Sequence, residues 1–278
     1  TNPGYNGINV YGDEVSTNIR SASGLGIIPD VVVSRTGYNE RDLTNYNAES
    51  IKSDWGLYYR PFENDFEISY VGKVGTGNTI FQGTNRYNIK DFFQQQHKIE
   101  LKNNNFFVRG YVVSDNAGDS YDMVFTAINI NRLWKSDSKW FQDYIQTFAG
   151  VTLAGNPQGL SQQEIHNYSR NVADEVIDPN GIDDGIERIM PGTPEYEAAY
   201  NRVINNPELE VDPTTGVGGS KFQDESKYYH GDFNYNFSHL IDFADIQVGG
   251  SFRQYSLNSS GTIYTDYDGE INYSEYGV

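Results

Sequence analysis

Asp65-Phe66-Glu67-Ile68-Ser69-Tyr70 alternates strictly. Phe66, Ile68 and Tyr70 fall on one side of an extended chain, and Asp65, Glu67 and Ser69 on the other. His97-Lys98-Ile99-Glu100-Leu101-Lys102 repeats the pattern, Asn103-Asn104-Asn105 reads as a turn, and Phe106 to Val113 begins the next strand. The period of two holds from Ile28 to about Ile130. It returns after Lys227, where Tyr229, Gly231, Phe233, Tyr235 and Phe237 share one side. These strands reach the length of about 9 residues that a tilted membrane-crossing strand requires.

Working outward, the connections alternate. Those around Arg60 to Asn64 and Asn103 to Asn105 are tight, whereas Thr36 to Asn47 and Gly75 to Asn88 read as longer, polar loops. Outer-membrane barrels alternate in this way. A soluble antiparallel sandwich has loops of varied length too, so the pattern leaves both open. Between the strand blocks, Ser161 and Glu164 form a capping box ahead of Ile165, Tyr168, Val172 and Val176 at helical spacing. Thr193-Pro194 starts a helix that must stop before Pro207. Trp140, Phe141, Tyr144, Ile145 and Phe148 suggest a third, shorter helix. The expected organisation is an irregular segment over 1–27, long antiparallel strands over 28–132, a helical and loop insertion over 133–226, and further strands over 227–278.

Composition narrows function. The 278 residues carry 38 Asp+Glu against 20 Lys+Arg, a net charge of −18, which argues against a nucleic-acid partner because such binding rests on cations neutralising phosphates. No Cys is present, which removes thiolate metal sites and Cys nucleophiles. With 22 Tyr and 15 Phe but few aliphatics, the chain suits strands with one apolar and one wet face. His97, His166, His230 and His239 show no metal-binding spacing. No nucleophile elbow, phosphate loop or dinucleotide fingerprint occurs, so an enzyme is not expected. One acidic turn does have the composition of a calcium loop, with Asp178, Asn180, Asp183, Asp184 and Glu187 around two glycines. An acidic turn between helices has the same residues. Calcium is the single cofactor the sequence suggests.

Several stretches resemble TonB-dependent outer-membrane receptors of the SusC-like branch: Pro3 to Glu14 (PGYNGINVYGDE), Ser34 to Leu43 (SRTGYNERDL), Gly75 to Thr79, Asn105 to Tyr111 (NFFVRGY), Pro191 to Tyr196 and Tyr255 to Thr262. The resemblance implies a transmembrane antiparallel β-barrel with a helical extracellular insertion, sited in the outer membrane with its loops outside. It implies import of a large nutrient such as an oligosaccharide, peptide or chelate, energised by a TonB-type inner-membrane motor. A surface lipoprotein lid and the lipid and lipopolysaccharide of the membrane are the further partners implied. Rim aromatics Tyr38, Tyr46, Tyr87, Trp140 and Tyr168 are the candidate ligand contacts. Such a barrel needs roughly 22 strands and this chain offers roughly a third of that, so these residues are expected to be one segment of a larger barrel. Two other readings stand beside it: a secreted, acidic, calcium-dependent adhesion module, and a receptor-fold scaffold of an assembly or secretion complex.

Overall fold

In the computed structural model, which describes residues 2–5, 7–179 and 186–278, the chain is mostly β-sheet, with one large antiparallel sheet and a few helices. In chain order the elements are β1 (Val10–Tyr11), β2 (Ser16–Asn18), α1 (Ile19–Ser23), β3 (Val32–Ser34), β4 (Tyr38–Asn39) and α2 (Glu40–Leu43). The long strands β5 (Glu49–Tyr59), β6 (Glu67–Gln82), β7 (Arg86–Lys102) and β8 (Phe106–Asn116) follow. Then come β9 (Tyr121–Asp122), α3 (Met123–Trp134), α4 (Asp137–Leu153), α5 (Gln162–Ala173) and α6 (Pro194–Asn205). The chain closes with β10 (Lys227–Asn236), β11 (Gln247–Leu257) and β12 (Ile271–Gly277).

These elements form two compact units. One comprises residues 1–46, 82–87 and 121–221; the other comprises 47–81, 88–120 and 222–278. The first is a helical unit with a conventional core. Ile19, Ile28 and Val33 from the N-terminal segment pack with Trp140, Tyr144, Phe148 and Ala149 of α4 and Ile165 and Ala173 of α5. Short pairs β1–β4 and β2–β3 hold the N-terminal segment in shape. Residues 1–27, read as an irregular segment, thus contribute to that core, where Ile19 is fully buried.

The helical region also begins earlier than the alternation suggested. Residues 123–134 are helix α3: the Asp122 side chain accepts from the backbone N–H of Val124 at 2.7 Å and Phe125 at 3.0 Å, and Met123, Ala127 and Ile130 turn inward together. A cap followed by inward positions at 3.6 spacing overrides the local apolar run. Helices α5 and α6 start where the sequence placed them. Ser161 and Glu164 form the reciprocal capping box, and Thr193 caps α6 with Pro194 in its first turn. Helix α4 is longer than expected, at 17 residues.

The second unit holds the large sheet, in the order β12-β11-β10-β8-β7-β6-β5. Its edges are β5 and β12, and the sheet is not closed into a barrel. One end carries the connections 60–66, 103–105 and 237–246. The other carries 83–85, 258–270 and the long excursion 117–226. The expected loop Gly75 to Asn88 is thus not a loop. Strands β6 and β7 run 16 and 17 residues and meet in a short turn, because Thr76 and Gly77 pair with Ile51 and Ser50 and so remain in the ladder.

Candidate functional surface and the placement of the predicted site residues

Register assigns every strand residue to a face. Ile99, Gly110, Gly231, Phe252 and Tyr276 lie opposite one another across five strands, and the next row is Leu101, Val108, Phe233 and Gly250. Leu57 lies opposite Tyr70, whose hydroxyl meets His97 Nδ1 at 2.7 Å, and His97 is level with Val112 and Tyr229. All these residues share one face, which is mainly apolar over these rows.

The opposite face is a charge lattice. Glu100, Arg109 and Asp232 form one row, and Lys98, Tyr111, His230, Arg253 and Glu275 the next. Arg109 grips Asp232 with two hydrogen bonds of 2.7 and 2.8 Å. Glu67 accepts from Arg60 at 2.9 Å and Lys102 at 3.2 Å, and Arg253 reaches Glu275 at 3.6 Å. Each of the charges just named has an opposite charge within 4.0 Å.

The apolar face, by contrast, has no protein cover in this unit. Leu57 is 68 % exposed and Val108 and Phe233 are each 48 % exposed. Of the buried hydrophobic residues among the described ones, Ala117 alone belongs to the sheet unit. An aromatic row closes the apolar face at the end with connections 60–66, 103–105 and 237–246: Phe62 to Phe66 at 6.0 Å, Phe66 to Phe106 at 6.3 Å, Phe106 to Tyr235 at 6.4 Å and Tyr235 to Phe237 at 4.6 Å. Toward the other end the same face turns polar, through Gln95, Ser114, Lys227, Ser256 and Asn272.

No family model, curated protein or solved structure matches this chain. Function must therefore be argued from the surface itself.

The five candidate rim aromatics all lie in the helical unit, and the structure gives them unlike roles. Trp140 is fully buried and donates from Nε1 to Asp174 at 2.8 Å. Tyr38 is 2 % exposed, donates its hydroxyl to Ile189 O at 2.8 Å and lies beneath the Arg188 guanidinium. Both support the core and offer no ring face to a ligand, which corrects their assignment to a rim. Tyr168 is half-buried on α5. Tyr87 is half-buried, and its phenol is pushed up by burial and by the charges of Asp122 and Glu208. Only Tyr46 is exposed, in a left-handed backbone conformation at φ 55°. Of the acidic turn, Asn180, Asp183 and Asp184 lie outside the described residues, while Asp178 and Glu187 are exposed. Among the described residues no group of three or more His, Asp or Glu side chains is placed to hold a metal.

The helical unit also holds a polar cavity of about 290 Å³ that no local pattern signals, its wall including Asp13, Arg35, Thr36, His166 and Arg170. Arg170 is tied down there, donating to Thr36 Oγ1 at 3.0 Å and to Pro3 O at 2.9 Å. The Tyr144 hydroxyl meets His166 Nδ1 at 2.7 Å. Burial pushes the Tyr144 phenol up and the His166 imidazole down, with Arg170 adding to the second effect, so both are neutral near pH 7. The motif that carries Asp13, Tyr11-Gly12-Asp13-Glu14, is visible in the sequence; its meeting with α5 is not.

Proposed function

We propose that this chain is part of a TonB-dependent outer-membrane transporter of the SusC-like type, with the apolar face of its sheet against lipid. The observation that carries this reading is the uncovered apolar face bounded by an aromatic row. A sheet in water buries one face against another layer, and exposed apolar patches of this extent mark an interface or a membrane. Outer-membrane strands put apolar side chains outward, polar ones inward, and aromatic girdles at the headgroup level. The two edges, β5 and β12, are where further strands of a larger barrel would pair, since a bilayer tolerates no open edge. In this orientation the aromatic row and connections 60–66, 103–105 and 237–246 are periplasmic, and the helical insertion is extracellular. The reading brings with it a TonB-type motor, a large imported nutrient and, as the resemblance suggests, a lipoprotein lid.

The chain has no native Cys, so single cysteines report position without background. Val108→Cys and Phe233→Cys, labelled with an environment-sensitive fluorophore in the intact protein reconstituted into bilayers, should be quenched by spin-labelled lipid. Arg109→Cys and Asn234→Cys should not be. Equal quenching on both faces, or none on either, would refute the lipid-facing assignment. Loss of nutrient uptake on deleting the motor then separates a transporter from a scaffold of the same fold.

A further inference from the structure

A trough runs along β6 on the polar face of the sheet unit. Two cavities of about 620 and 480 Å³ meet there, and both have Lys52, Gly75 and Gln94 in their walls. Lys52 and Asp54 of β5 stand on one side, opposite Gly75 and Lys73 of β6. Phe92 and Gln96 of β7 stand on the other. Because β5 and β7 flank β6, the walls are about 10 Å apart.

Gly75 forms the floor, and nothing in the protein's own packing requires a glycine there. A Cβ at Gly75 would come no closer than 3.8 Å to a neighbouring side chain, Lys52, which is ordinary contact, and the backbone is not left-handed. Gly77 differs, since a Cβ there would meet Glu49 O at 2.5 Å. Glycine weakens a strand interior, and one that packing does not demand marks a place where a ligand or another backbone approaches closely.

The wall side chains define the chemistry of what approaches. Lys52, Asp54 and Lys73 are exposed, and Phe92 and Gln96 are half-buried, so all are open to a molecule in the trough. Among the described residues no ion pair engages Lys52 or Lys73, and no side-chain hydrogen bond engages Gln96. Asp54 lies opposite Lys73 and offsets it, whereas Lys52 lies opposite Gly75. Glu49 alternates to the other face, where it accepts from Asn78 at 2.9 Å. The trough walls therefore carry one excess positive charge in a chain of net charge −18, which suits an acidic group. The Gln96 carboxamide donates and accepts at once, as one peptide unit does. Phe92 adds an apolar wall. A neutral oligosaccharide would leave the Lys52 ammonium uncompensated.

We propose that this trough binds an extended peptide, with an acidic side chain at Lys52, an apolar side chain against Phe92 and a peptide unit paired with Gln96. The missing side chain at Gly75 makes room for the peptide backbone. Import of such a peptide rests on the transporter reading; the binding itself does not.

The test uses the intact protein in detergent and calorimetry with the blocked hexapeptide Gly-Leu-Ala-Glu-Ala-Gly, its counterparts with Gln or Lys in place of Glu, and maltohexaose. The Glu peptide should bind saturably, about fivefold or more tightly than the Gln peptide. Lys52→Glu, at an exposed position, should reverse the order and favour the Lys peptide. Gly75→Leu should abolish binding by filling the trough while far-UV circular dichroism stays unchanged, and Lys52→Glu keeps the test decisive should Gly75→Leu fail to fold. The proposal is overturned if the Glu peptide shows no saturable binding, if the three peptides bind equally, or if Lys52→Glu leaves their order unchanged. It is equally overturned by binding that survives in folded Gly75→Leu or by tighter binding of maltohexaose. Quenching of the apolar face by lipid is a separate measurement. Peptide binding without that quenching would retain the trough and refute the transporter, and quenching without peptide binding would refute the trough alone.

Discussion

Single residues in the helical unit carry its pH response. Glu208 is half-buried, and burial together with the Asp122 charge pushes its carboxyl up to about 7. In the unfolded chain a Glu titrates near about 4.3. The native state therefore keeps this proton over a range in which the unfolded chain has already released it. The resulting stabilisation is complete below the unfolded value and is lost as the pH rises through about 7. Burial pushes Asp13, Glu14 and Asp122 in the same direction. His166, pushed down, acts in the opposite direction over the same range, so the Glu208 contribution is isolated by substitution: Glu208→Gln should raise the melting point more at about pH 8 than at about pH 5, changing the difference between the two. Thermal unfolding at the two pH values checks it, and an unchanged difference in the variant would show that Glu208 ionises freely in the native state. Trp140 illustrates the same scale from another side. Its ring belongs to the core and its N–H to Asp174, so nothing in its neighbourhood in sequence distinguished a core residue from a rim residue.

Among elements, what was legible followed local physics. The capping box at Ser161 and Glu164 and the Thr193-Pro194 start are short-range signals, and both hold: Ser161 Oγ accepts from Glu164 N–H at 3.3 Å and Glu164 Oε2 accepts from Ser161 N–H at 2.7 Å. Alternation in 65–70, 97–102 and 229–237 likewise gave the right faces, because the pleat enforces a period of two once a strand exists. Other features were not legible. Helix α3 lies in an apolar run that suits strand or helix equally, and only its packing resolves it. Residues 75–79 are rich in Gly, Asn and Thr, composition that also describes a loop; pairing of 75–78 with β5 keeps them in the strand. The candidate cavity was illegible for a similar reason, since Asp13 and Arg170 are 157 positions apart in the chain. The capping box supplies a prediction at this scale. Ser161→Ala removes one partner of the first turn of α5 and should lower stability by about 1 kcal/mol in denaturant unfolding. Ser161→Asp, which restores an accepting oxygen, should recover most of it; a loss as large as for Ser161→Ala would place the effect elsewhere than in the cap.

At the scale of the molecule, the contrast between the units is the argument for a membrane. The helical unit buries Trp140, Tyr144, Phe148, Ile165 and their neighbours as a water-soluble domain does, while the sheet unit leaves Leu57, Val108, Phe233 and Phe252 uncovered and pairs its charges on the other face. No described helix is long and apolar enough to cross a bilayer, a finding that bears only on helices. Whether water or lipid meets the apolar face has an energetic signature. In water, adding a charge at a half-exposed strand position such as Val108 costs little. In hydrocarbon, an Arg near the midplane of an outward-facing strand costs about 2–4 kcal/mol, and the same residue on the inward face is tolerated. Val108 and Phe233 lie one row in from the aromatic row, so in the intact protein, unfolded by urea from lipid bilayers, Val108→Arg and Phe233→Arg should each cost about 1–2 kcal/mol, less than at the midplane. Asn234→Arg, one residue along the same strand from Phe233 but on the charged face, should lose far less. Because the sites differ chiefly in the direction of the side chain, equal costs at all three would place both faces in water and would leave the sheet's apolar side to be covered by protein instead.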